Sequence, residues 1–275
     1  MSDEGQVALV TGASSGLGAS CATLLSCKGF ETFAAARSLS DEDAAPGLHL
    51  HSVKMDVDAE VSVRDGIDRV LRKAGRLDIV VNCAGFGIGG SVEDTSIDEA
   101  KRQFETNFFG ILRVCRAVLP SLRGQRSGRI VNVSSIAGRM GLPFQGLYSA
   151  TKFAIEGVTE ALRMELRPFG IHVSLIEPGD FRTGFTASRV RVATGGDGPY
   201  ADRLARAMAV AESDEMGGQS PDRVARLLLK ILRSRSPRLR YTVGPLSQRL
   251  SAIAKPLLPA GFVEREVMRH YNVPS

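Results

Sequence analysis

A short apolar run that leads straight into a glycine-rich turn, and from there into a helical pattern, sets the frame for this chain. Val7-Ala8-Leu9-Val10 is the kind of continuous apolar segment shown by a strand buried on both faces. Thr11-Gly12-Ala13-Ser14-Ser15-Gly16-Leu17-Gly18 follows, and apolar residues then recur at Ala22, Leu24 and Leu25. Strand, glycine loop and helix in this order make a phosphate cradle. Glycines let the backbone turn tightly and approach a pyrophosphate, whose charge is met by the helix N-terminus. A plain strand-to-helix turn would use the same residue types, and it is the position right after the first strand that favours the cradle.

The alternation continues. Thr32 to Ala36 reads as a second strand, ending in Arg37-Ser38. An acidic residue there would accept hydrogen bonds from an adenosine ribose 2′-hydroxyl; the slot instead holds Ala36 and Arg37, which suits a 2′-phosphate and so NADP(H) over NAD(H). A surface arginine closing a strand is the plainer reading. Ser40 to Leu50 is a polar loop and Val53 to Met55 a third strand. Asp56-Val57 follows, where a carboxylate can meet an adenine amino group or cap the next helix, Val61 to Leu71. Leu77 to Val81 is a fourth strand. It runs into Asn82-Cys83-Ala84-Gly85, small residues that let a flat ring or a ribose lie against the strand end, while Asn82 can tie strands together. Asp98 to Leu122 reads as one long helix broken at Pro120, with Asn107 in its middle. A buried amide there must find partners, in the backbone or in a water serving a proton relay, or cost about 1–3 kcal/mol.

Arg129 to Val133 is a fifth strand, and it delivers Ser134-Ser135 to its carboxyl end, the end where ligands bind in open α/β sheets. Tyr148-Ser149-Ala150-Thr151-Lys152 opens a helical run to Leu166. Four residues apart on a helix, Tyr148 and Lys152 share one face. A phenol has a pKa of roughly 10, and an ammonium beside it favours the phenolate; alone, the pair is equally a surface tyrosine next to a solvated lysine. Val173 to Ile176 is a sixth strand, with Glu177-Pro178-Gly179 and Thr183 in the loop at its end. From Ala187 to Gly218 the pattern dissolves except for helical spacing over Tyr200 to Ala211, so 187–220 is expected to be a lid. Pro221 to Leu232 is a helix, Arg240 to Val243 a last strand, and 245–275 an apolar, proline-broken extension. Strands alternating with helices give an α/β class, a doubly wound Rossmann-type parallel sheet of about seven strands with helices on both faces, read as a single domain over 1–275.

The 275 residues allow a substantial core, and the net charge of +5 comes from scattered basic residues without a polybasic run. That disfavours nucleic acid and fits a phosphate-bearing ligand. The four cysteines have no paired spacing and read as reduced thiols; no metal site is expected. With no stretch apolar enough to span a bilayer and no room for a leader before Val7, a cytoplasmic protein is expected.

Taken together, Thr11-Gly12-x-x-x-Gly16-x-Gly18, Asn82-Cys83-Ala84-Gly85, Asn107, Ser135, Tyr148-x-x-x-Lys152 and Pro178-Gly179 resemble, in order and spacing, the short-chain dehydrogenase/reductase family. The resemblance is dense over residues 5 to 185; Cys83 departs from it, standing where the family most often has a second asparagine. Met140 to Phe144, Phe153 to Gly157, Pro168 to Glu177 and Pro237 to Tyr241 are similar to the 17β-hydroxysteroid dehydrogenase type 1 and retinol-dehydrogenase-like branch. The resemblance implies an oxidoreductase interconverting a carbonyl and an alcohol on a lipophilic molecule. It implies Asn107, Ser135, Tyr148 and Lys152 as the catalytic set. It places the cofactor on Gly12, Ser14, Ser15, Gly16, Leu17, Gly18, Arg37, Ser38, Asp56, Val57, Asn82, Ala84, Gly85, Tyr148, Lys152, Pro178, Gly179 and Thr183. It implies a homodimer or homotetramer paired through the helices around Asn107 and Tyr148. The other readings are an idle NADP(H)-binding sensor or scaffold, against which the complete tetrad speaks, and dehydration or epimerisation in the same pocket. A membrane-surface role for Leu246, Leu250, Ile253 and Leu257 is a further idea, weighed against a cover for the substrate pocket.

Overall fold

Continuous apolar runs need burial on both sides, and the strands meet this need by alternation. In β1 (Val7–Thr11), Val7 and Leu9 point into one hydrophobic core while Ala8 and Val10 point into another across the sheet. The structure, a computed structural model, describes residues 5–45, 47–192 and 198–274. The elements run from β1 to α1 (Gly16–Cys27), β2 (Glu31–Ala36), β3 (Leu50–Lys54), α2 (Glu60–Ala74), β4 (Ile79–Asn82) and β5 (Ile88–Gly89). Next come α3 (Ile97–Phe104), α4 (Gly110–Gln125), β6 (Gly128–Val133), α5 (Gly146–Leu166), β7 (Ile171–Pro178), α6 (Phe185–Ser188) and β8 (Val190–Arg191). The last are α7 (Ala201–Met216), α8 (Asp222–Arg233), β9 (Arg240–Val243), α9 (Leu246–Ala254) and α10 (Ala260–His270).

Seven strands form one parallel sheet in the order β3-β2-β1-β4-β6-β7-β9, the expected doubly wound arrangement. Side chains from α2, α4 and α5 fill one core, and those from α1 and α8 fill the other. The third strand begins three residues earlier than its apolar run. As an edge strand it alternates His51 and Val53 inward with Ser52 and Lys54 outward, so no continuous apolar signal marks it.

Two expectations need correction. The helix across Asn107 is not broken at Pro120, because α4 runs on to Gln125. Pro120 and Arg116, whose carbonyl loses its helical partner there, are both exposed, so water can serve that carbonyl. The irregularity lies instead at Glu105–Phe109, a π-helical turn in which the N–H of Gly110 bonds the carbonyl of Glu105. Within the expected lid, α6, β8 and α7 are regular structure, and β8 pairs with β5 as a second small sheet; residues 193–197 lie outside the described residues. Gly89 and Gly90 allow this approach, since a Cβ on either would collide with Met208 or Val192.

Candidate active site

The chain runs outward from β1 to β2 and β3 and then returns to β4 on the other side of β1. Connections leaving β1 and β4 therefore diverge, and such a switch point opens a crevice at the carboxyl ends of the strands. Here it is a cavity of about 840 Å³, large for a ligand site.

At one end the wall is backbone. Gly12 (φ +66°) and Gly16 (φ +57°) sit in the left-handed region that favours glycine. A Cβ on Gly12 would lie 2.7 Å from the backbone of Ala84, and one on Gly18 would run into the Gly12 carbonyl. Thr11 fixes this closeness: its Oγ1 accepts hydrogen bonds from the N–H groups of Cys83 (3.1 Å) and Ala84 (3.3 Å). Helix α1 starts here with no side-chain cap and no acidic residue in its first turn. Its free N–H groups and positive dipole end are left for an anion, which is the donor set a pyrophosphate needs.

Of the residues predicted to hold a cofactor, Gly12, Ser14, Ser15, Gly16, Leu17, Gly18, Arg37, Asp56, Val57, Ala84, Gly85, Tyr148, Lys152, Pro178, Gly179 and Thr183 line this cavity. Asp56 does not cap the next helix, because α2 starts at Glu60 with Ala59 as its uncapped N-cap; its Oδ1 instead accepts from the N–H of Asp58 (3.1 Å) within the preceding loop, and the residue stays on the wall. Ser38, Asn82 and Asn107 lie off the wall. Asn82 is the tie between strands: its Nδ2 donates to Asn132 Oδ1 at 2.9 Å. The Asn107 amide is held in direct bonds, accepting from the N–H of Phe86 (3.0 Å) and donating to the Phe86 carbonyl (2.9 Å) and Thr151 Oγ1 (3.1 Å). It fastens the loop after β4 to α5.

At the other end three side chains converge. Tyr148 and Lys152 lie one turn apart on α5, with Lys152 Nζ 5.6 Å from the centroid of the Tyr148 ring. Lys152 is buried and donates to the carbonyl of Val133 at 3.0 Å. Burial pulls its pKa down to about 8, against opposing pulls from Cys83 and Glu156. Ser135 is held by two bonds, accepting from the N–H of Ala137 (3.1 Å) and donating to the Pro178 carbonyl (3.4 Å). The Tyr148 phenol is pushed up to about 12. Burial dominates, a hydrogen bond with Ser135 lowers the value, and Glu215 raises it. The expected depression by Lys152 is absent in the protein alone, because desolvation of the phenolate outweighs the charges around it.

Beyond Tyr148 the wall is made by residues the motifs do not mark. The Phe185 ring lies 5.6 Å from that of Tyr148. Gln248, Lys255, Leu258, Phe262 and Val263 bring the C-terminal segment across the opening. Gln248 exchanges hydrogen bonds with Asp180, Lys255 donates to the carbonyl of Arg139, and His270 pairs with Asp214 at 2.8 Å. One signal for these was present in the sequence: Gln248 and Lys255 are polar residues two helical turns apart inside an apolar stretch.

Known proteins match this sequence and this fold. The family model described as short chain dehydrogenase matches residues 6–192. A 3-ketodihydrosphingosine reductase from Bacteroides thetaiotaomicron is 40% identical over 272 residues, covering 98% of each chain. Retinol dehydrogenase 8 from Bos taurus is 33% identical over 278 residues, covering 95% of this chain and 88% of its own. Among solved structures, a short-chain dehydrogenase/reductase from Burkholderia phymatum in complex with NAD superposes with a TM-score of 0.80 at 25% identity, covering 97% of this chain and 96% of that one. The chain therefore belongs to the short-chain dehydrogenase/reductase family. It is an oxidoreductase acting on CH–OH groups.

Proposed function

We propose that this oxidoreductase uses NADP(H) to reduce a ketone on a long-chain lipophilic molecule. The observation that carries the reading is the convergence of Ser135, Tyr148 and Lys152 on one cavity whose other end is the glycine cradle. The glycine loop and the α1 N-terminus hold the pyrophosphate, and Arg37, exposed at the end of β2 with Ala36 beside it, holds a 2′-phosphate. Asp56 and Val57 flank the adenine, and Ala84, Gly85, Pro178, Gly179 and Thr183 the nicotinamide half. When bound, the reduced nicotinamide supplies the hydride.

The protein's own residues manage the proton. Ser135 Oγ donates to the substrate oxygen and orients it. Tyr148, a neutral phenol at pH 7 because burial holds its pKa at about 12, gives its proton to that oxygen as negative charge develops. Lys152, mostly charged at pH 7 with a pKa near 8, stabilises the phenolate left behind. Asn107 keeps the loop after β4 against α5, and its place beside Gly85 and Lys152 suits a water that resupplies the proton. Residues 187–220 act as lid and 245–275 as a strap over the substrate end. Phe109, exposed in the π-helical turn leading into α4, and Met164, exposed on α5, suit pairing of copies through those helices.

The substrate class follows from the strap wall of Leu258, Phe262 and Val263 and from the Bacteroides relative, whose name specifies 3-ketodihydrosphingosine. Asp180 and Glu266 on the same wall suit an amino group near the ketone. The test titrates NADPH and NADH against wild type and Arg37→Asp by fluorescence, then follows NADPH oxidation with long-chain 3-ketones. NADPH should bind more tightly than NADH, with the preference falling about 10–100-fold in Arg37→Asp, as expected for a charge-assisted phosphate contact. Equal binding of both cofactors, indifferent to Arg37, overturns the NADP(H) assignment. Turnover limited to short polar ketones overturns the substrate class.

A further inference from the structure

The strap helix α9 is amphipathic in the reverse of the usual sense. Ala252, 1% exposed, faces the protein together with the cavity-lining Gln248 and Lys255. On the opposite side Leu246, Leu250 and Ile253, spaced i, i+4 and i+7, are 65%, 55% and 60% exposed, and Leu257, in the turn that follows, is 85% exposed. A surface helix ordinarily buries its apolar stripe and shows its polar one. Here the polar stripe is used inward, on Asp180 and Arg139. The apolar stripe is left facing out and continues onto the exposed Leu258 and Phe262, which also line the cavity. A contiguous exposed apolar surface of this kind marks an interaction site.

We infer that this face rests on an anionic lipid bilayer, with α9 lying in the interfacial plane and the cavity mouth at Leu258 and Phe262 opening onto the acyl region. Charge complementarity selects lipid as the occupant. Between Leu246 and Ser275 the basic residues are Arg249, Lys255, Arg265 and Arg269 and the acidic ones are Glu264 and Glu266, and the whole chain carries +5. Arg249, next to Leu250 in the chain, and Arg265 of α10 are exposed and available to lipid phosphates, while the exposed Arg269 is paired with Glu266 at 2.9 Å. Two copies meeting through this face would instead bring these like charges together. An exposed apolar stripe bordered by arginines, on a strap that itself covers the substrate cavity, is the arrangement of an interfacial helix. No helix among the described residues is long and apolar enough to cross a membrane, so the contact is with one surface. The face delivers a lipophilic substrate directly from the bilayer into the cavity, and this consequence rests on the substrate class proposed above; the contact itself does not.

The experiment is co-sedimentation of the purified full chain with vesicles of phosphatidylcholine alone and of phosphatidylcholine with phosphatidylglycerol. Wild type is compared with the double variant Leu250→Glu/Ile253→Glu, neither residue lining the cavity. The expected result is that wild type pellets with the anionic vesicles, less so in high salt, and that the double variant binds at least about tenfold more weakly, since each buried side chain of this size is worth about that factor. Its melting temperature and NADPH affinity should match wild type. Wild type remaining in solution with both vesicles overturns the inference, as does equal pelleting of the variant. So does a wild-type oligomer that dissociates in the variant, which would make the face a contact between copies. Vesicle binding is read without turnover, so failure of the proposed substrate leaves this result standing.

Discussion

The two ends of the cavity are closed by different means. At the dinucleotide end the wall is main chain, brought close by glycines whose side chains would occupy the space of a neighbouring backbone. At the substrate end it is made by side chains from separate elements: Gln248 with Asp180, Lys255 with the Arg139 carbonyl, His270 with Asp214, and Arg189 with Glu215. A wall of close-packed backbone tolerates almost no substitution and offers little room to move. A wall of side-chain latches opens at smaller cost where the latches are exposed, because a pair such as His270 and Asp214 is worth no more than about 1 kcal/mol, while the buried Arg189–Glu215 pair holds its corner more firmly. The first suits a ligand that is the same in every turnover. The second suits one that must enter, fit and leave.

Tyr148 stands between the two ends and gives the sharpest separation. Tyr148→Phe should lower turnover by about 10²–10⁴-fold, the range for loss of a general acid, while NADPH affinity measured by fluorescence changes less than twofold. Residual turnover near wild type would remove Tyr148 from the mechanism. At the backbone-built end, Gly12→Ala combines a positive φ with a Cβ 2.7 Å from the Ala84 backbone. It should weaken NADPH at least tenfold and lower thermal stability by about 2–4 kcal/mol; a variant that binds NADPH normally would show that the close approach is dispensable. At the latched end, Gln248→Ala should raise KM for a long-chain ketone about three- to tenfold and leave NADPH affinity unchanged. If it weakened NADPH as much as Gly12→Ala, the two ends would not be separable.

The smallest effect concerns pH. Burial pushes the Asp180 carboxyl up to about 6 from its ordinary 3.8, against the lowering hydrogen bond of Gln248. Between those values the folded state binds more protons than the unfolded state, so this group's contribution makes the protein less stable as pH rises from about 4 to about 6, with the full penalty above 6. Scanning calorimetry should show a gain of about 1–3 °C on going from pH 7 to pH 5 that is smaller in Asp180→Asn. Parallel curves for the two proteins would place the titration elsewhere.

The same division governs what could be read from the sequence. The strand–glycine loop–helix unit and the face shared by Tyr148 and Lys152 are local patterns, each expressed within a few residues to two turns, and the structure places them as spacing alone predicts. The start of the edge strand β3 escaped, though the strand itself did not, because pairing on one side only shortens its apolar run. The π-helical turn at Asn107 escaped because nothing in its composition distinguishes it from the helices on either side; Pro120, the obvious breaker, sits where solvent tolerates it. Asn82 and Asn107 were marked by position, but their amides are engaged in ties between elements that are far apart in sequence. The strap was legible as a segment and illegible as a wall, because whether Gln248 faces Asp180 or water depends on a docking that spans 68 residues.

The strap also follows every other element in the chain. A polypeptide synthesised from its N-terminus exposes the cradle, the strands and Tyr148 before α9 and α10 exist, and domains begin to fold in that order during synthesis. The dinucleotide half can thus acquire its ligand on a nascent chain whose substrate chamber is still open, and the chamber is closed only when α9 and α10 follow. Protease nicking at the exposed Pro256-Leu257-Leu258-Pro259 turn would return the molecule to that earlier state, holding its nucleotide but with its substrate chamber unroofed.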